Sequence, residues 1–229
     1  STGNSRIDAL LGGGVVDSSI TLISGASGTG KTSLAATIAR EACERDDRVL
    51  YLQFEEAGPA MVKRMLSPSI DLRPALEAGL LQIEATMPEA MGVEEHLIRI
   101  LKSSEDHAPD LLIVDAISAT TRMNTRQTAY DFLVRLTNAC RHEGITCLLT
   151  YQTQPLTVSG EVSAMGISSL LDTVIMLDYE EQGDALNRTV RVLKSRGMNH
   201  SNRRHRFRIT DDGIRIDDRE DEVGEGGRS

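Results

Sequence analysis

Apolar and polar positions alternate along this chain with two different periods. Ser19 to Ser24 is a short apolar, β-branched run, the signature of a buried strand. A Gly-rich loop follows. Then comes a helix from about Lys31 to Arg45, with Leu34, Ile38 and Ala42 on one face. Arg48 to Phe54 reads as the next strand. Helical patterns follow over 58–66 and 71–78, joined by Ser67-Pro68. Leu80 to Glu84 is a short strand, Val93 to Leu101 is amphipathic, and Leu111 to Val114 is a continuous apolar strand. Phe132, Leu136 and Cys140, four apart, mark a helical stripe over Thr128 to Cys140, and Gly144 is placed to end it. Ile145 to Tyr151 is another strand. Beyond it the pattern changes to Asp172–Asp178, Asn187–Ser195, Arg206–Thr210 and Ile214–Ile216, which are strands separated by turns with no long helix.

Strand and helix thus alternate through the first two-thirds, which predicts an α/β fold: a mostly parallel twisted sheet flanked by helices. The last third predicts antiparallel strands added at one edge. A length of 229 residues fits one sizeable domain. We expect that domain to span residues 1–216, and the acidic, Gly-rich segment 217–229 to be a disordered tail. The opening Ser1-Thr2-Gly3 lacks an initiator Met, as a piece of a longer protein would. It shows no signal-peptide pattern, and no apolar run approaches the ~18 residues that span a bilayer. Cys43, Cys140 and Cys147 have no metal-ligand spacing and read as reduced core residues, which suggests a cytoplasmic setting. The net charge of −9 weighs against nucleic acid as the main partner.

The chemistry begins at Gly25-Ala26-Ser27-Gly28-Thr29-Gly30-Lys31-Thr32-Ser33. The spacing is GxxxxGK[ST], set between a predicted strand and a predicted helix, the context this motif requires. Its glycines let backbone N–H groups turn toward phosphate oxygens, and the helix start adds partial positive charge. Lys31 would reach the β- and γ-phosphates, and the Thr32 hydroxyl would reach Mg²⁺. Leu111 to Asp115 is an apolar strand ending in a carboxylate, where ligands of open α/β sheets bind. Asp115 would hold Mg²⁺ through water. Glu55 and Glu56 close the strand after the P-loop helix. Adjacent carboxylates there cannot both face one way, so one is placed to polarise an attacking hydroxyl. Lys194 and Arg196 flank Ser195 and project to one face of a predicted strand. They suit either an exposed basic edge or contact with a γ-phosphate bound by a neighbouring subunit. The basic stretch from Asn199 to Arg208 offers only Phe207 for base stacking, so a subunit interface or a solvated strand suits it better than nucleic acid.

With these residues assembled, the chain resembles a KaiC-family ATPase domain of the RecA-like group, over about Ser1 to Ile216. The most specific marks are SGASGTGKT, FEE, LLIVDAIS, LLDTVIML and LKSRGMNH. The second, autokinase domain of that family is the nearer likeness. The resemblance implies a homohexameric ring with ATP and Mg²⁺ between subunits. Gly25, Ser27, Gly28, Thr29, Gly30, Lys31, Thr32 and Ser33 would cradle the nucleotide. Thr32, Asp115 and Glu55 would attend the metal. Glu55 and Glu56 fall on the family's paired catalytic glutamates, and Lys194, Ser195, Arg196 and His200 would reach a neighbour's nucleotide. Asp211 would add a weaker contact. The family's adjacent Ser-Thr phosphoacceptor pair falls on Ser168 and Ser169, and a third acceptor position falls on Ser163. A Ser-Ser pair departs from the family pattern and leaves the order of modification open. The acidic end does not resemble the family's partner-binding tail, so any partner would be KaiB-like or another signalling protein.

Three classes follow: an oligomeric Mg²⁺-ATPase with serine autokinase and autophosphatase activity, in a clock or in other signalling; a nucleotide-gated interaction module with little phosphotransfer; and a RecA-like DNA-dependent ATPase, which the acidic charge and the 3% aromatic content oppose.

Overall fold

The computed structural model describes residues 1–86, 92–119, 125–153, 167–183 and 185–217. Within them a nine-stranded sheet runs in the order β3-β2-β4-β5-β1-β6-β7-β8-β9. The parallel part comprises β1 (Ile20–Gly25), β2 (Val49–Gln53), β3 (Leu81–Ala85), β4 (Leu111–Asp115), β5 (Thr146–Gln152) and β6 (Thr173–Gln182). Antiparallel pairing then continues through β7 (Ala185–Ser195), β8 (His205–Thr210) and β9 (Gly213–Asp217).

The central parallel strands are largely apolar because both of their faces are covered, whereas edge strand β3 carries Gln82 and Glu84. Ile23, Tyr51, Ile113, Leu148 and Ile175 point into a core shared with α1 (Ser5–Leu10), α2 (Lys31–Glu44), α3 (Gly58–Met65) and α4 (Arg73–Glu77). Ile20, Leu22, Leu50, Leu112, Val114 and Leu149 point into the other core, under α5 (Val93–His107) and α6 (Arg126–Glu143). In the antiparallel extension, Val190, Val192, Phe207 and Ile216 join the first core. Leu193, of the other parity on β7, is 41% exposed. One-sided burial is what gives these strands their alternating pattern.

The α/β fold with antiparallel strands at the C-terminal edge is as the pattern predicts, and the boundaries shift by a few residues. The amphipathic stretch expected from Val93 to Leu101 continues to His107, and the helix expected over 71–78 shortens to Arg73–Glu77. Helix α1 is not foreseen. Its six residues give the periodicity less than two turns, yet the Asn4 side chain caps it by accepting from the N–H groups of Arg6 and Ile7. Gly144 does end α6, in the left-handed conformation expected of a helix-stop glycine. Of the tail expected over 217–229, Asp217 instead ends β9 and pairs with Arg208, and the residues from 218 on lie outside the described residues. No helix among the described residues is long and apolar enough to cross a membrane.

Candidate nucleotide site

Strand β1 delivers Gly25 to the C-terminal edge of the sheet, and the loop turns there into α2. The Gly25 carbonyl accepts the Thr153 N–H at 3.1 Å, which pins the start of the loop to the end of β5. The Ala26 carbonyl accepts the Thr29 hydroxyl and the Lys31 ammonium, each at 2.8 Å. The loop glycines are required by contact. A Cβ on Gly25 would lie 2.3 Å from the Leu177 carbonyl oxygen. One on Gly30, whose φ is +104°, would lie 2.8 Å from both Phe207 and Ile209. One on Gly28 would lie 2.9 Å from the Tyr179 hydroxyl. Ser27 and Gly28 are exposed, Thr32 is half-buried, and Thr29 and Ser33 are buried. This is a cradle that side chains would fill, open on its outer rim.

Lys31 is 8% exposed. Burial lowers its pKa below the ordinary lysine value, opposed by the charges of Asp115 and Glu55. The Asp115 carboxylate is 2% exposed and accepts the Tyr51 hydroxyl at 2.9 Å and the Thr150 hydroxyl. Burial, then the adjacent Asp115, push the Tyr51 pKa well above its usual value, so this phenol stays a donor. Both carboxylate oxygens are thus oriented from inside the sheet, an arrangement that suits an outer-sphere metal partner acting through water. The half-buried Thr32 and the exposed Glu55 carry oxygens of the hard type Mg²⁺ takes, although no three His, Cys, Asp or Glu side chains cluster as a metal site among the described residues.

The two glutamates part company, as adjacent side chains at a strand end must. Glu56 pairs with Arg64 of α3. Glu55 is exposed and lies close enough to Lys31 to act on its titration. The strand end that carries them is tied down. The Phe54 N–H donates to the Asp115 carbonyl at 2.8 Å, the Glu55 N–H donates to the buried Gln53 side chain at 3.2 Å, and the Phe54 ring meets His96 edge-on at 5.5 Å.

Two residues that the sequence reading did not single out wall the loop. Arg188 of β7 donates from Nε to the Gly28 carbonyl at 3.0 Å and lies 5.7 Å over the Tyr179 ring of β6. The available signal is the parity of β7: Arg188 shares a face with Val190 and Val192, the face turned to α2. Tyr51 and Thr150 were likewise hidden inside apolar runs.

The remaining predicted residues lie elsewhere. In parallel register, Thr173 sits beside Thr21 and Leu177 beside Gly25. Ser168 and Ser169, on a short 3-10 turn just before β6, are therefore at the edge of the sheet opposite the P-loop. Lys194 and Ser195 end antiparallel β7 at that same edge, across from Val174 and Thr173. Arg196 lies one residue beyond the strand, yet it reaches the same turn as Lys194. Lys194 Nζ donates to the Ser168 and Leu171 carbonyls at 2.6 and 2.7 Å, and Arg196 donates to the Ser169 carbonyl at 3.1 Å. So in one chain these cations hold the segment bearing the serines, and β1, six residues long, separates them from the P-loop by roughly 17 Å. His200 lies 3.5 Å from the Met198 carbonyl in a loop packed on the turn after α1, where a Cβ on Gly12 would meet the Asn199 carbonyl. Asp211, exposed in the β8–β9 turn, accepts the Ser69 hydroxyl at its carbonyl, two residues beyond the Ile209 that touches Gly30. Ser163 lies outside the described residues.

A glycine cradle on the central β1, a buried lysine within it and a clamped acid at the end of β4 define a P-loop domain of the RecA-like class. The chain belongs to the KaiC ATPase family: the model of that family, described as "ATPase: KaiC", matches residues 1–221. The chain is 37% identical over 217 residues to the circadian clock protein KaiC2 of Synechocystis, covering 93% of this chain and 38% of the relative. It is 32% identical over 216 residues to the circadian clock oscillator protein KaiC of Acaryochloris marina, covering 94% and 41%. The chain thus spans about two-fifths of the length of these relatives.

Proposed function

We propose that residues 1–216 act as one ATP-binding, Mg²⁺-dependent ATPase unit that self-assembles, as a homohexameric ring, and transfers phosphate to serine in a KaiC-like clock or signalling system. The observation that carries this reading is the convergence of Lys31, Asp115 and Glu55 at the glycine cradle, while Glu56 is paired with Arg64. ATP would lie with its phosphates along Gly28 to Thr32 and its γ-phosphate toward Lys31. Mg²⁺, when bound, would supply positive charge that neutralises the charge developing on the phosphates. Thr32 and Asp115 would hold it. Glu55 would accept the proton of the attacking hydroxyl. As the new O–P bond forms, the bond from the γ-phosphorus to the bridging oxygen breaks and ADP leaves with that electron pair. The attacking hydroxyl belongs to water in hydrolysis and to Ser168 or Ser169 in autophosphorylation, with Ser163 a third acceptor.

The opposite-edge placement of Ser168 and Ser169 supports transfer between protomers. Lys194, Ser195, Arg196 and His200 would then meet a neighbour's nucleotide, with Asp211 closer to the chain's own P-loop side. A KaiB-like signalling protein is the partner class in keeping with the relatives. Nucleic acid is disfavoured, because in the basic segment Arg204 pairs with Glu180, Arg208 with Asp217 and Arg206 with Asn187. The three cysteines, free and buried, favour a cytoplasmic setting.

The test is incubation with ATP and Mg²⁺, read by native mass spectrometry for assembly and added phosphate and by peptide mapping for its position. We expect Glu55→Gln to slow turnover about 10²- to 10⁴-fold, the usual worth of a positioned base, and Glu56→Gln to slow it far less. Equal losses in the two variants sink the assignment of Glu55. Assembly without phosphate on any of the three serines sinks the kinase part and favours a nucleotide-gated module.

A further inference from the structure

Three cations converge on the turn that carries the two exposed serines. Besides the contacts of Lys194 and Arg196, Arg141 of α6 donates to the Leu170 carbonyl at 2.6 Å and pairs with Asp172 at 3.0 Å. Arg196 lies 3.6 Å from the other oxygen of Asp172. That carboxylate also accepts the Ile20 N–H at 2.9 Å. Among the described residues, three positive heads face one carboxylate and a row of neutral carbonyls. The Lys194 pKa is lowered, first by burial and then by Arg196, with Asp172 opposing.

We infer that the Ile167–Asp172 turn and these cations form a phosphoserine-binding site, in which a phosphate on Ser168 or Ser169 is held in cis by Lys194, Arg196 and Arg141. The inference rests on the serine-acceptor reading above. It adds that this chain reads its own modification. The side-chain oxygens of Ser168 and Ser169 branch from the residues whose carbonyls these cations already contact. A phosphate there carries a charge of about −1.5 to −2 and three strong acceptor oxygens. Exchanging a neutral carbonyl for such an oxygen roughly doubles the strength of each hydrogen bond. The planar guanidinium groups suit bidentate capture, with Lys194 as the point charge.

A consequence follows for the ring. Lys194 and Arg196 cannot hold a phosphoserine in their own chain and a γ-phosphate on a neighbour at the same time. Modification would withdraw both cations from the adjacent active site, so phosphotransfer would limit itself.

The test uses the whole chain with phosphoserine introduced at position 168 or 169 during translation, which requires no kinase activity. Release of phosphate by a broad-specificity phosphatase is timed for the parent, Arg196→Gln and Lys194→Gln chains. Unfolding of each, with and without phosphate, completes a double-mutant cycle. Any destabilisation common to both phosphorylation states cancels in that cycle. We expect about tenfold slower release from the parent than from Arg196→Gln, and a phosphate-dependent rise in melting temperature in the parent alone. Arg141→Gln repeats the test from the far side of the turn and should show a loss in the same direction. Equal release rates with no coupling in the cycle overturn the inference. Failure of the kinase reading looks different: ATP and Mg²⁺ add no phosphate, while an encoded phosphoserine is still protected.

Discussion

Tyr51→Phe tests whether Asp115 is held from inside the sheet. Tyr51 is 0% exposed and packs its ring in the first core, so phenylalanine keeps the packing and removes only the hydroxyl. The lost contact is the 2.9 Å hydrogen bond to a carboxylate that is itself 2% exposed. A hydrogen bond to a charged acceptor contributes about 1.5–3 kcal/mol, and a buried carboxylate oxygen left without its donor sits within that range. We therefore expect a loss of about 2 kcal/mol, or a fall in melting temperature of about 4–8 °C at this chain length. The assay is urea and thermal unfolding without nucleotide, run beside Thr150→Val and the double variant. Because both hydroxyls serve one carboxylate, the two effects should be non-additive by about 0.5 kcal/mol or more. ATP turnover should fall in both single variants as the carboxylate loses its orientation. A stability loss below about 0.5 kcal/mol for Tyr51→Phe refutes the clamp. A full loss of stability with turnover untouched refutes its link to the chemistry.

Lys31→Met should abolish the stabilisation that ATP gives, about 2.7 kcal/mol at a hundredfold excess over Kd. Because burial lowers the Lys31 pKa, the unfolded chain binds the extra proton between the folded and the ordinary lysine value. Nucleotide-free stability should then rise with pH through that window in the parent relative to Lys31→Met, as urea midpoints across the window would reveal; the opposite slope contradicts the burial argument. Gly30→Ala combines the strained φ with contacts at 2.8 Å to Phe207 and Ile209, and should cost about 2–4 kcal/mol in denaturant unfolding; a neutral result means the β8 wall does not press on the loop. Burial raises the Cys43 thiol to about 11, and a hydrogen bond with Cys140, then burial, raise the Cys147 thiol well above its usual value, so iodoacetamide at pH 8 should label neither in the folded chain and both in denaturant. Prompt native labelling contradicts that burial.

The cradle was legible in the sequence because its constraint is local. Glycine spacing, the strand before it and the helix after it lie within a few residues of one another. The same holds for Asp115, announced by four apolar residues in a row. Choosing between Glu55 and Glu56 was not legible, since the choice depends on Arg64, eight residues on and on the next helix. Tyr51 and Thr150 escaped for a related reason. Each sits in a strand whose neighbours are all buried, so a polar atom there reads as core until register sets Tyr51 against Ile113, two residues from Asp115 on the next strand. Arg188 and Tyr179 meet the P-loop only through β6–β7 pairing, a contact 160 residues from Gly28 in the chain. Helix α1 went unread because six residues give the periodicity too little to work on.

The sheet itself argues for how the proposed reaction must be shared. A parallel sheet places every strand's C-terminal end on one edge, so Gly25, Glu55 and Asp115 gather at the nucleotide. Antiparallel β7 runs back, and its end carries Lys194 and Arg196 to the other edge along with the turn bearing Ser168 and Ser169. Neither group can cross the sheet without breaking β1, the strand buried at all six positions. A protomer thus presents a donor on one edge and acceptors with cations on the other. When such surfaces meet head to tail the contact is heterologous, and a heterologous contact that closes produces a ring. The ring proposed above is one arrangement that these strand directions permit.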